Sequence, residues 1–154
     1  HYSYATTVDA AIEEAQMCLS ILNGRELDYP VAFDIEDPSQ KNLSPQLLSD
    51  MAVAFCQAIE NAGYDAAIYC YTNFYDKLTD PRLDAYDKWV AHWGVLNPGY
   101  TKPFTMWQYG KTNIPGATNG VSDIDVNYCY YDYGGTLQQT TGGGTIASNL
   151  SSGQ

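Results

Sequence analysis

An α/β fold with parallel strands, arranged as an open sheet or a barrel, is the class that this sequence predicts. Short apolar runs rich in β-branched and aromatic residues alternate with amphipathic helical stretches along most of the chain. The predicted order is strand, helix, strand, helix, strand, short helix and then three further strands. Such alternation is typical of parallel sheets, whose functional residues lie at the carboxyl ends of the strands. The chain has 154 residues and is 45% hydrophobic, which is enough for one domain with its own core.

The amino-terminal elements are a short strand and a helix. Aromatic alternation predicts a strand over residues 1–5. Apolar residues then recur at helical spacing, with Thr6 or Thr7 as the N-cap and Gly24 closing the helix.

A second helix and the later strands follow the same logic. Ser44 and Pro45 open the helix as N-cap and first residue, and Gly63 ends it. A short helical piece is predicted over residues 74–78. Further strands are predicted over residues 66–71, 88–93 and 104–109 and from residue 124 to residue 127.

The strand within residues 29–38 carries the most informative pair of side chains. Asp34 and Glu36 are separated by one residue, so both point to one face while Ile35 points to the other. Mutual repulsion and partial burial predict that the pKa of one carboxyl is raised while the other stays ionised. That combination suits general-acid chemistry on a sugar oxygen, although an ordinary solvated strand end has the same spacing.

Charge and cysteine usage exclude several classes of function. Eighteen acidic against seven basic residues give a net charge of −11, so neither nucleic acid nor an anionic membrane surface is an expected partner. The four cysteines show no metal-ligand spacing, and we expect no metal and no other cofactor.

Composition divides the chain near Tyr133. Residues 134–154 are rich in Gly, Ser, Thr and Gln and carry no charge, which predicts a flexible tail or linker. Residues 1–133 are predicted to form the domain.

Polar and aromatic residues collect at the predicted strand ends. In a barrel they would converge on one rim, where carboxylates ringed by aromatic residues outline a carbohydrate-hydrolase pocket. Trp89 is expected in the core and Asp37 as a cap beside Pro38. The converging residues are Tyr2, Tyr4, Asp34, Glu36, Tyr71, Trp93, Trp107, Gln108, Asp125 and Asn127.

Several motifs in order resemble the lysozymes of glycoside hydrolase family 25, N-acetylmuramidases that cleave peptidoglycan. The resemblance covers residues 1 to about 133 and implies a TIM-like β/α barrel of eight strands. Its motifs are HYSYA, YPVAFDIED, AFCQAIENAGY, IYCYTNF, WVAHWG, MWQY and IDVN.

The resemblance implies a catalytic role for three carboxyl groups. Glu36 matches the general acid on the glycosidic oxygen. Asp34 matches the carboxylate that orients the 2-acetamido group of the substrate or acts as base or stabiliser. Asp125 matches a further active-site acid.

The resemblance also implies sugar contacts. Tyr2 and Tyr71 match aromatic positions that line the cleft. Further substrate contacts are expected from Tyr4, Trp93, Trp107 and Gln108.

The family's first two β/α units, with an active-site Asp, have no counterpart in this sequence. We therefore expect that an N-terminal segment is missing or that a strand-exchanged partner chain supplies it, because six strands cannot close an eight-stranded barrel.

The expected function is hydrolysis of the β-1,4 links between N-acetylmuramic acid and N-acetylglucosamine, outside the cell, by a secreted or phage-encoded, bacteriolytic enzyme. The alternatives are a chitinase-like glycosidase and a non-catalytic glycan-binding module that retains the aromatic cleft.

Overall fold

The computed structural model describes residues 1–113 and 124–134. One sheet forms its centre, and the strands lie side by side in the order in which they occur in the sequence. The elements are α1 (Val8–Leu22), β1 (Val31–Asp34), α2 (Pro45–Asn61), β2 (Ala66–Tyr71), β3 (Asp87–Ala91), β4 (Met106–Thr112) and β5 (Ile124–Cys129). Short 3₁₀ helices occupy Pro38–Gln40, Thr72–Lys77 and Pro81–Ala85.

Strand direction departs from the prediction at one place. Strands β1 to β4 are parallel neighbours, as predicted, but β5 runs antiparallel to β4, with Asn127 opposite Gln108. Only residues 113–123 separate the two strands, whereas a parallel return requires a crossover of about a dozen residues or more, usually helical. The antiparallel return brings the start of β5 to the edge where β1 to β4 end.

Both helices begin and end as their sequences predict. The Thr7 hydroxyl caps α1 by accepting a hydrogen bond from Ala10 N at 3.2 Å. Asn23, with φ of 49°, takes the left-handed position at the end of α1, directly before Gly24. Ser44 caps α2 with Pro45 as its first residue. The chain's own capping residues therefore set the helix bounds.

The helices pack on one face of the sheet, and the other face carries small, polar and aromatic residues, among them Ala32, Asp34 and Tyr69. Phe33 stacks on Phe55 of α2 with ring centroids 4.4 Å apart, and Ile68 on β2 is fully buried beside them. Because side chains alternate along a strand, the neighbours Ala32 and Asp34 point away from the helices. This second face holds the candidate site.

The segment before α1 lies along the free side of β1. Ser3 N donates to Asp34 O at 3.0 Å and Asp34 N donates to His1 O at 2.9 Å, a parallel arrangement. The predicted strand over residues 1–5 is thus reduced to a single bridge, Tyr2 to Asp34. Gln40, fully buried, donates to Ala5 O at 2.9 Å and holds the segment in place.

No helix within residues 1–113 and 124–134 has both the length and the apolar character to cross a bilayer. The predicted tail falls almost entirely on residues 135–154, which lie outside the described residues.

Candidate active site

The site forms where a row of side chains crosses the face of the sheet that points away from α1 and α2. Backbone register places Asp34 beside Tyr69 and Tyr69 beside Trp89. Gln108 lies opposite Ala91, two residues after Trp89, and is therefore nearer the carboxyl ends of the strands. They bound a cavity of about 260 Å³. Its lining residues are His1, Ala32, Asp34, Tyr69, Trp89, Gln108 and Asp125.

The environment of the site strongly raises the pKa of Asp34. Burial first, and then the charge of Glu36, raise its pKa from 3.8 to about 7, against a smaller opposite effect of the terminal amino group. Its Oδ1 atom is buried and accepts no hydrogen bond from any described residue. A buried carboxyl oxygen without a partner, facing a cavity, is suited to contact a ligand.

Glu36 lies two residues beyond Asp34, half-buried at the strand end. Its Oε2 atom accepts a hydrogen bond from Tyr71 N at 2.6 Å, which ties it to the end of β2. Its charge raises the pKa of both Asp34 and Tyr69. Glu36 itself is not among the residues that line the cavity of Asp34.

Asp125 joins the site from β5. It lines the cavity with Asp34, and its charge adds to those that raise the pKa of Tyr69. The antiparallel return from β4 brings it there, since it stands near the start of its strand. The structure thus brings Asp34 and Asp125 together in one cavity, whereas Glu36 is tied to the end of β2 and is not among the lining residues.

The charges of all three acids act on Tyr69, a residue that the sequence analysis did not predict for the site. Its hydroxyl donates to Gln108 Oε1 at 2.9 Å, and its ring meets Trp89 edge-on with centroids 5.1 Å apart. Burial, and then the charges of Glu36 and Asp34, raise its pKa well above the usual range, so it remains a hydrogen-bond donor. Alternation in IYCYTNF places Tyr69 on the same face as Tyr71, and that signal could have found it.

The structure places two of the three tryptophans differently from the prediction. Trp93 is 42% exposed and donates from Nε1 to Gln108 Oε1 at 2.8 Å. Trp89, expected in the core, lines the cavity instead and donates to Asn127 Oδ1 at 2.8 Å. Trp107 is only 7% exposed and lies on the opposite face of β4 from Gln108. Trp107 therefore does not reach the cavity, because adjacent strand residues point to opposite faces.

The tyrosines predicted for the cleft are exposed. Tyr2 donates to Asp37 Oδ2 at 2.9 Å, and its ring centroid lies 5.1 Å from that of Tyr4. Tyr71 packs against His92 with centroids 5.2 Å apart. These rings offer apolar faces near the strand ends, but none of them lines the cavity itself.

Comparison with known proteins agrees with this architecture. The model of the family "Glycosyl hydrolases family 25" matches residues 1–117. The autolytic lysozyme of Clostridium acetobutylicum is 26% identical over 124 residues, which cover 80% of this chain and 37% of that protein. The chain thus spans little more than a third of the curated relative.

Solved structures also superpose on this fold. The CTP1L endolysin superposes with a TM-score of 0.66 at 26% identity, over 83% of this chain and 45% of that one. The family 25 glycosyl hydrolase GHIP of Streptococcus pneumoniae superposes with 0.67 at 16% identity, over 83% and 56%. A family 25 glycosyl hydrolase of Bacillus anthracis gives 0.60 at 17% identity, over 85% and 62%. At 16% and 17% identity the last two support the fold alone. The family model nevertheless covers most of the chain, which therefore belongs to glycosyl hydrolase family 25.

Proposed function

We propose that this chain forms the catalytic part of a lysozyme that cleaves the β-1,4 bond between N-acetylmuramic acid and N-acetylglucosamine in peptidoglycan. The observation that carries the proposal is the meeting of Asp34 and Asp125 in one cavity, in a member of this family whose Glu36 follows Asp34 by two residues. Because the proposed substrate is a cell-wall polymer, we propose that the protein acts outside the cell that produces it.

Glu36 is proposed as the general acid. Tyr71 N occupies its Oε2 atom, which leaves Oε1 to meet the glycosidic oxygen at the strand ends. Proton donation to the leaving oxygen is the step that a glycosidase must supply, because an unassisted alkoxide is a poor leaving group.

Asp34 is proposed to receive the N-acetyl group of the bound sugar. Its unpartnered Oδ1 atom can accept the amide hydrogen and orient the acetyl group. Action as a base or as an electrostatic stabiliser is the other role open to a carboxylate there. The anomeric configuration of the first product, followed by NMR, separates retention from inversion.

A second assignment exchanges the two acids, and one observation favours it. The pKa of Asp34 is raised to about 7, so a large fraction of Asp34 carries a proton in the free protein near neutral pH. An aryl glycoside with an activated leaving group distinguishes the assignments, because such a bond breaks without protonation. If Glu36 is the acid, Glu36→Gln retains activity on that substrate and Asp34→Asn does not.

The main test is the loss of turnover in Glu36→Gln. Reducing-end release from purified walls should fall by about 10²- to 10⁴-fold, the usual contribution of a positioned general acid, while glycan binding persists. Glu60→Gln is the matched control, since this exposed residue of α2 loses the same charge. Hydrolysis by Glu36→Gln at the wild-type rate would exclude Glu36 as the acid.

The same assay separates the competing functions. Binding to walls without any release of reducing ends would identify a glycan-binding module. Release from chitin oligomers but not from walls would identify a chitinase-like glycosidase.

We further propose that the described sheet is part of an eight-stranded β/α barrel and that residues 1–133 belong to that domain. The superpositions on about half of larger family members support this. Assays should therefore include the chain extended by any residues that its gene encodes before His1. A wall-lysing extended chain beside an inactive short one would show that further strands complete the site.

A further inference from the structure

The hydrogen-bond ladder between β1 and β2 continues into the side chain of Glu36. Ile35 N donates to Tyr69 O at 3.0 Å, at the end of β1. Donors that face one neighbour alternate along a parallel strand, so the next donor of β2 toward β1 is Tyr71 N. This N–H group meets Glu36 Oε2 at 2.6 Å. The position of Glu36 therefore depends on where the backbone of Tyr71 is held.

The turn that follows Tyr71 is secured by the hydroxyl of Thr72. Tyr71 is the N-cap of the 3₁₀ helix Thr72–Lys77, but its own side chain makes no capping hydrogen bond. Thr72 Oγ1 instead donates to Ala91 O at 3.0 Å, at the end of β3, and to Pro98 O at 3.1 Å. A hydroxyl has a single hydrogen, so Thr72 shares it between the two carbonyl groups. These bonds fasten the start of the helix to the neighbouring strand.

The carbonyl group of Pro98 is held from a second direction as well. His92 Nδ1 lies 2.6 Å from Pro98 O, and its imidazole packs on the ring of Tyr71 with centroids 5.2 Å apart. A carbonyl oxygen cannot donate, so Nδ1 carries the hydrogen in this contact. Thr72 is therefore bonded to a fixed point of the chain after β3.

On the basis of the proposed function, we propose that Thr72 is a positioning residue for Glu36. Its two hydrogen bonds fix the peptide group after Tyr71, and with it the N–H group that holds Glu36 Oε2. The remaining oxygen, Oε1, then has one position relative to the bound sugar. A displacement of about 1 Å at a reacting group can cost about 10²-fold in rate, so a hydroxyl that does not touch the substrate can still affect turnover.

The first test needs no catalysis and follows the amide proton of Tyr71 by NMR in the whole chain. A short bond to a carboxylate moves this signal downfield, so Glu36→Gln should move it upfield. Thr72→Val keeps the branched shape and loses the hydroxyl, and it should move the signal at least halfway to its position in Glu36→Gln. Thr72→Ser retains the hydroxyl and should resemble the wild type. Thr79→Val is the matched control, since this exposed threonine follows the same 3₁₀ helix.

The second test is kinetic and separates positioning from a general loss of structure. On purified walls Thr72→Val should lower kcat by about 10-fold with little change in KM, which is part of the about 10²- to 10⁴-fold that a general acid contributes. On an aryl glycoside with an activated leaving group its rate should stay within about twofold of wild type, because that bond breaks without protonation. Thr72→Ser should recover the wild-type rate on walls. Thr72→Ala is the second variant without a hydroxyl, in case valine disturbs the turn.

The outcomes separate this inference from the proposed function. An upfield shift of the Tyr71 signal in the variants without a hydroxyl supports the inference even if the chain releases no reducing ends from walls, a result that would overturn only the hydrolase. A signal unchanged in both variants overturns the inference even if walls are hydrolysed. Equal losses on walls and on the aryl glycoside overturn it as well, since Thr72 would then act on the fold and not through Glu36. Wild-type turnover of walls by both variants has the same consequence.

Discussion

Replacing Asp34 by Asn should stabilise the protein above neutral pH. In the folded chain the pKa of Asp34 is raised to about 7 by burial and by the charge of Glu36, whereas its ordinary value is 3.8. Between those values the folded chain holds a proton that the unfolded chain releases. Stability therefore falls as the pH rises through this window, and Asn, which cannot ionise, escapes the loss.

The magnitude follows from the width of the window. Within this window the free energy of unfolding falls by about 1.4 kcal/mol for each pH unit. The window spans about three pH units, so the total loss is at most about 4 kcal/mol. Asp34 is half-buried and water can relieve part of the cost, so we expect the advantage of Asp34→Asn to grow by about 2–4 kcal/mol between pH 4 and pH 8.

The assay is urea unfolding of the wild-type and variant chains at pH 4 and pH 8. At each pH the free energy of unfolding of the wild type is subtracted from that of the variant, so that the contributions of other titrating groups cancel. Asp125→Asn is the control, because this exposed residue loses the same charge at the same cavity. A constant gap between Asp34→Asn and wild type from pH 4 to pH 8 would refute the reasoning. It would mean that Asp34 ionises as it does in the unfolded chain.

Two further predictions concern stability. Gln40→Leu should cost about 2–5 kcal/mol in urea unfolding, because it leaves Ala5 O and Asp37 N, bonded to Gln40 at 2.9 and 3.0 Å, buried without partners. The exposed Gln46→Leu on α2 is the control, and an equal loss in the two variants would contradict the assignment. Deleting residues 142–154 should leave the melting temperature nearly unchanged, since their composition offers little apolar surface to bury. A fall of many degrees would show that they pack on the domain.

Local sequence patterns were sufficient to predict most of the helices and strands. The N-caps Thr7 and Ser44 and the apolar stripes of α1 and α2 act within a few residues, so they can be recognised without the tertiary structure. The bounds of β2 match the predicted range for the same reason. The direction of β5 could not be predicted in this way, because it depends on which neighbour the strand meets after its connection.

The sequence by itself determined that Asp34 and Glu36 share a face at a strand end, because side chains alternate along any strand. It also determined family membership, since motifs in a fixed order need no coordinates. Only the tertiary structure decided that the pKa of Asp34 is raised to about 7, because burial and neighbouring charge set it. It likewise decided that Trp89 and Gln108 face the cavity while Trp107 does not. Alternation assigns residues to two faces, but the packing of the helices selects which face is covered. The bonds that orient Gln108 join residues 39 and 15 positions apart, so they exist only once the strands lie side by side.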